Sequence, residues 1–183
     1  MIHDTALLDK LDSLPKITFD GQVYRATRKN LDPLATSRSG GRWMPASVAS
    51  VLYTSMHRDG ALAEISFHWS QWTPMPSKLA CLHTLRVVTH RTLRLIKADL
   101  TALCVAPLEY QAINLNRTQQ IGAAVEFLGC DGLVAPSARW HCENLILFPD
   151  STGFGATLEA MSTVDVDWIA WAAVNGVIGE PRE

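Results

Sequence analysis

Apolar residues along this chain recur at helical and at alternating spacing, in an order that a regularly wound parallel α/β fold does not produce. Leu7, Leu8, Leu11 and Leu14 predict an amphipathic helix over residues 4–14, stopped by Pro15. Gln22–Thr27 reads as a strand, and 28–41, polar and rich in Ser, Gly and Asp-Pro, as a long loop. A second strand, Ser50–Thr54, leads into a helix over Arg58–Trp72, in which Leu62, Ile65 and Trp69 share one face before Pro74 ends it. Leu79–Val88 and Thr92–Ile96 read as the two strands of a hairpin, and Leu100–Cys104 as a short helical turn. Ile121, Val125 and Leu128 mark a helix over Arg117–Leu128, with Gly129 as its stop. Gly132–Ala135 and Asn144–Phe148 are apolar strands around a polar loop, while Val164–Ile178 suits a strand start as well as a helix. This mixture without βαβ alternation predicts an α+β fold, with a mixed, largely antiparallel β-sheet core flanked by helices.

Bulk properties narrow the function classes. A chain of 183 residues that is 48% apolar can bury the core of one domain. Its net charge of −2 gives no general attraction to nucleic acid or to a membrane surface, so neither is expected as a direct partner. No apolar run approaches the roughly 18 residues of a membrane span. The N-terminal MIHDTALLDKLDSL carries acids early and lacks a long apolar centre, unlike a secretory signal, so a cytoplasmic location is expected. Cys81, Cys104, Cys130 and Cys142 show no C-x-x-C spacing; they are expected to be reduced, buried thiols, and no metal site is expected. His141 and Cys142 are sequence neighbours, which rarely face each other as a catalytic dyad.

One short stretch raises a chemical question. In SGGRWMPA, Ser39 to Ala46, two glycines precede an arginine that adjoins a tryptophan. Other polar residues also fall among apolar or small neighbours: Arg25 in its strand, Tyr53 near the end of the next, Glu64 in the turn ALAE, and Ser137 after Pro136. Singly, each has an ordinary explanation. A strand arginine is usually solvated, Arg42 could stack on an aromatic, and Tyr53 could be half-buried with its hydroxyl in water. Glu64 could be a solvated flank, although Gly60, Ala61 and Ala63 would let a ligand approach, and Ser137 could be a turn residue.

In order, however, YRAT, GGRW, VLYTS, ALAE, APSA and NLILFP resemble the RES-domain family, from about Val23 to Pro149. The chain is thus read as one domain, 1–183, with terminal additions at 1–20 and 151–183. RES domains are toxins of bacterial toxin–antitoxin pairs and resemble diphtheria-toxin-type ADP-ribosyltransferases that consume NAD+. The resemblance implies Glu64, Arg25 and Ser137 as catalytic residues, and Arg25, Arg42, Tyr53, Ser137 and Asn144 as NAD+-binding residues. It implies NAD+ as substrate, with no resident cofactor, and a cognate antitoxin, Xre-like, that covers the active site. Met44 stands where the family often has asparagine, and ARWHCEN replaces a glycine-rich loop, so that Trp140 and Glu143 are expected to narrow the entrance.

The chemistry suits these residue types. Cleaving the nicotinamide–ribose bond gives the anomeric carbon oxocarbenium character. Nicotinamide leaves neutral from a cationic state, so no general acid is required, and a single carboxylate, Glu64, suffices. Arg25 and Arg42 match pyrophosphate oxygens, and backbone N–H groups of Gly40 and Gly41 are expected to approach a phosphate. Tyr53 would stack on nicotinamide, and Ser137 would bond the substrate near the reacting ribose. Water, inorganic phosphate or a macromolecule could accept the ADP-ribosyl group, giving a glycohydrolase, a phosphorylase or a transferase. A non-catalytic module that binds a nucleotide or partner is the alternative of a different class. Trp168 and Trp171 are expected to pack on the body, or else to form a patch for a homodimer or the antitoxin.

Overall fold

The computed structural model describes residues 3–111, 115–151 and 154–177. Its elements run α1 (Thr5–Ser13), β1 (Lys16–Arg28), β2 (Leu52–Ser55), α2 (Arg58–Trp69), β3 (Ala80–Arg94), α3 (Lys97–Ala102), α4 (Pro107–Gln111), α5 (Asn116–Phe127), β4 (Gly132–Pro136), β5 (Glu143–Leu147), β6 (Thr157–Val166) and α6 (Trp168–Val174). The sheet order is β1-β2-β5-β4-β3-β6, and β1 also pairs with β3, so five strands close into a ring with β6 outside it. Among the described residues only β3 and β4 pair in parallel; the other pairings are antiparallel. This is the α+β, largely antiparallel sheet flanked by helices that the sequence pattern predicts.

Every ring strand contributes to one apolar cluster: Val23, Leu52, Leu85 with Val87, Val134, and Leu145 with Leu147. The alternation of Leu85/Val87 and of Leu145/Leu147 puts both members on one side of the pleat. A larger core joins α1 and α5 to the sheet through Leu7, Leu11, Ile121, Val125 and Phe148, together with the buried Trp43 and Met44. Met44 is therefore a core residue, without exposed surface. Gly129 has φ 74, the left-handed stop expected after α5.

Several readings of the sequence change, among them the end of α2, which comes at Trp69 and not at Trp72. Leu79–Val88 and Thr92–Ile96 do not make a hairpin: one 15-residue strand, β3, runs through Ala80–Arg94. Its polar middle contains no Gly, Pro or Asn to turn the chain, and its backbone is served from elsewhere. The Asp131 carboxylate accepts from the N–H groups of His90 and Arg91 at 2.8 and 2.9 Å. β1 is also longer than Gln22–Thr27, because β3 offers it a partner as far as Lys16. Finally, Cys104 is exposed at φ 63, whereas Cys81 and Cys130 are buried and Cys142 is half-buried.

The tail resolves into β6 followed by α6, up to Val177; Ile178 lies outside the described residues, as do 179–183. Trp168 is buried and meets Trp69 of α2 edge-on at 5.4 Å. Trp171 Nε1 donates to Asp59 Oδ1 at 3.1 Å. Both tryptophans thus pack on α2 and do not form an exposed patch. Among the described residues, no helix is long and apolar enough to cross a membrane.

Candidate functional site

A cleft of about 1060 Å³ opens between α2 and the β1–β2 side of the ring, with Arg25, Arg42, Tyr53, Glu64 and Asn144 on its walls. Glu64 is on α2, whose buried face is Leu62, Ile65 and Trp69 with Ala63 and Ser66. Small residues let this helix sit tightly on the sheet. A Cβ on Gly60 would come within 2.3 Å of Ser55 Oγ and 2.5 Å of Cys142 Sγ. Gly60, by lacking a side chain, and the buried methyl of Ala63 thus serve helix packing, and of the three small residues only Ala61 faces the cleft.

Two strand ends converge on the Glu64 carboxylate. Ser137 Oγ and Asn144 Nδ2 each donate to Oε1 at 3.0 Å, from positions 73 and 80 residues away in sequence. Among the described residues Oε2 has no hydrogen-bond partner. The carboxylate is therefore held by one oxygen and left able to interact through the other. Ser137 is itself fixed, because its Oγ accepts from the N–H groups of Arg139 and Trp140, both at 3.1 Å. Replacing Ser137 by Ala strands these two N–H groups and removes a donor to a carboxylate. The expected loss of stability is about 1–3 kcal/mol, read by chemical denaturation; a loss below about 0.5 kcal/mol would show that the hydroxyl organises nothing. Donation to the Glu64 carboxylate turns the Asn144 amide nitrogen toward it and leaves Asn144 Oδ1 buried without a partner.

The arginines are tethered but not used up. Arg25, from β1, donates through one nitrogen to the Pro33 carbonyl at 2.9 Å. Burial lowers its pKa, partly offset by Asp32. Arg42 donates through Nη1 to the Tyr110 carbonyl at 2.5 Å and lies 4.9 Å over the Tyr110 ring. A guanidinium has five donors, so each retains several for an anion in the cleft.

The neighbours of Arg42 explain GGRW. Trp43 is buried and anchors the turn; Gly122 of α5 meets its carbonyl, which no side chain would permit. Gly40 has φ 84, and a Cβ on Gly41 would lie 2.7 Å from the Tyr53 hydroxyl. The Gly41 N–H bonds the Met44 carbonyl at 2.9 Å. That N–H is thus spent on the turn and is not directed at a phosphate; Gly41 is there for close packing. Arg42 lies in the middle of this turn, between the bridge partners Gly41 and Met44, and not on a strand.

Tyr53 lines the cleft, but its hydroxyl is not in water: it accepts from the Trp43 N–H at 3.1 Å. Burial raises its pKa to about 12, despite that hydrogen bond, so the phenol is neutral near pH 7. The loop 138–143 enters the cleft through Arg139, not through the two residues expected to narrow it. Trp140 packs between His141 and Trp171, and Glu143 takes a bidentate pair from Arg94 at 3.0 and 2.8 Å. Arg139 lies 3.4 Å over the Phe67 ring and donates to the Gln111 carbonyl at 2.7 Å. Cys142 Sγ contacts Ser55 Oγ at 3.3 Å, and among the described residues no hydrogen bond joins it to His141.

Sequence reasoning missed Tyr110 and Arg139. Tyr110 holds Arg42 with its carbonyl and ring, while its hydroxyl donates to the Pro136 carbonyl beside Ser137. Its helix, α4, is five residues long and leaves no periodic signal. Arg139 could have been found only as a cation two residues from Ser137.

Comparison with known proteins follows the same outline. The RES domain family model matches residues 22–169. A chain in the crystal structure of the M. tuberculosis MbcT–MbcA toxin–antitoxin complex superposes with a TM-score of 0.79 at 20% identity, covering 94% of this chain and 98% of that one. No curated protein matches. The cleft carboxylate and its two donors, and both arginines, lie within the matched span, and the chain belongs to the RES-domain family.

Proposed function

We propose that this chain is the toxin of a toxin–antitoxin pair and cleaves the nicotinamide–ribose bond of NAD+, depleting the cell of it by hydrolysis or phosphorolysis. The observation that carries this reading is the Glu64 carboxylate, oriented through Oε1 by Ser137 and Asn144 in a cleft that also presents Arg25 and Arg42. A site that only bound phosphate would gain nothing from a carboxylate, which repels an anion. A site that must stabilise a positive sugar beside a pyrophosphate needs both charges. Arg25 and Arg42 grip the pyrophosphate, and the open oxygen of Glu64 faces the anomeric carbon as nicotinamide departs with the bonding electron pair. Tyr53, neutral and fixed through its hydroxyl, offers its ring face to nicotinamide. A transferase acting on a macromolecule would use the same bond cleavage with another acceptor.

Membership of the RES family supports the reading, as does the likeness to a chain from a complex described as toxin–antitoxin. An unrestrained NAD+-cleaving enzyme would kill its own cell, so a cognate antitoxin of Xre-like type covers this cleft and carries any DNA binding. The test is direct. The purified full chain, free of partner, is incubated with NAD+ and free nicotinamide is followed with and without inorganic phosphate. Release is expected, and stimulation by phosphate distinguishes phosphorolysis from hydrolysis. Folded, partner-free protein that releases no nicotinamide would sink the proposal.

A further inference from the structure

Past Glu64 the wall of the cleft changes character. α2 continues five residues, about 7.5 Å, to Trp69. The chain then runs irregularly through residues 70–79 before entering β3 at Ala80. This connection exposes Trp72, Met75 and Leu79, at 59%, 41% and 44%. All three line the same cleft as Glu64. Their location is set by the sheet, since Ala80 is opposite Arg28 in the β1–β3 register, and the connection therefore enters the sheet beside the end of β1. Arg28 and Lys78 line the cleft there too. A single exposed apolar residue calls for no explanation, but an indole, a thioether and a leucine together on the wall of a charged cleft mark a surface built to be covered.

We infer that the 72–79 connection is a base-binding subsite, in which the Trp72 indole stacks on the adenine of the dinucleotide whose nicotinamide ribose lies at Glu64. The inference rests on the NAD+-cleaving reading and adds to it the part of the substrate that the Glu64 cluster does not reach. A pyrophosphate held by Arg25 and Arg42 has a nucleoside on each side. The Glu64 side takes one, and the other must lie farther along the cleft. The wall there is apolar and aromatic, flanked by cations, which suits a flat, neutral base attached to an anionic chain. Stacking reads the face of a base and not its edge, so hypoxanthine in place of adenine should be tolerated.

The test compares nicotinamide release from NAD+ with release from nicotinamide mononucleotide, which lacks the adenosine half, for the full chain and its Trp72→Ala and Trp72→Phe variants. Trp72→Ala should raise KM for NAD+ about 10-fold with little change in kcat, the loss expected when a base loses its aromatic platform. The preference for NAD+ over the mononucleotide should fall by the same factor, and Trp72→Phe should restore most of it. Unaltered KM for NAD+, or an equal loss on both substrates, would overturn the subsite, as would a variant impaired only in association with the antitoxin. Titration calorimetry with ADP-ribose separates this inference from the function it rests on. If the parent chain cleaves nothing but binds ADP-ribose about 10-fold more tightly than Trp72→Ala does, the subsite stands and the catalytic reading falls. Equal binding to parent and variant removes the subsite.

Discussion

Glu64→Gln is expected to lower nicotinamide release at saturating NAD+ by about 100- to 1000-fold, the range found when one preorganised charge-stabilising group is removed from an active site. The substitution is close to isosteric, and the glutamine oxygen can still accept from Ser137 Oγ and Asn144 Nδ2, which both address Oε1 in the parent. The cluster therefore keeps its shape, and what disappears is negative charge opposite the developing oxocarbenium ion. That charge acts mainly on the transition state, so NAD+ affinity should be retained or slightly improved. Rates under saturating substrate and a separate binding titration read the two effects. A kcat within about threefold of the parent would reject Glu64 as the catalytic carboxylate.

The largest structural effect is expected at Gly122→Ala. A Cβ at this position of α5 would fall 1.7 Å from the Trp43 carbonyl oxygen, a contact with backbone and not with a flexible side-chain end. Helix and turn must separate, and Trp43, with Trp168 the largest of the fully buried side chains, resists. Overpacking of this kind costs about 3 kcal/mol, which for a chain of this size lowers Tm by about 6–12 °C. Because the displaced turn carries Arg42, KM for NAD+ should rise as well. Gly176→Ala is the matched control: it has φ 68 but nothing within 4 Å of the added carbon. It should lose only about 1 kcal/mol, from left-handed backbone strain. Thermal unfolding followed by circular dichroism compares them; equal shifts would show that the Gly122 approach is not tight.

Glu64, Ser137 and Asn144 illustrate how far sequence reading reaches. Each is marked by its place in an ordered series of short motifs, but nothing local indicates that one carboxylate oxygen receives both donors. The ring brings them together: β5 pairs with both β2 and β4, which sets Asn144 opposite Ser55 and Ala135. Arg42 stands out in the sequence by its odd neighbours, but the glycines before it do not both present N–H groups to a phosphate. The Gly41 N–H closes the turn on Met44, and only the folded turn reveals that its missing side chain makes room for Tyr53.

Features that depend on near neighbours are legible without the fold. The apolar stripes of α1, α2 and α5, the left-handed stop at Gly129 and the alternation of the ring strands all follow from contacts within a few residues. The sequence also determines the family, because motif order survives without any knowledge of geometry. Other features depend on partners distant in the chain. β3 is one strand and not a hairpin because Asp131 satisfies its polar middle, and β6 is a strand because β3 has an edge for it. The cleft itself belongs to this second class. Its walls come from segments far apart in the chain, and a hydrogen bond that spans 80 residues leaves no periodic trace in the sequence.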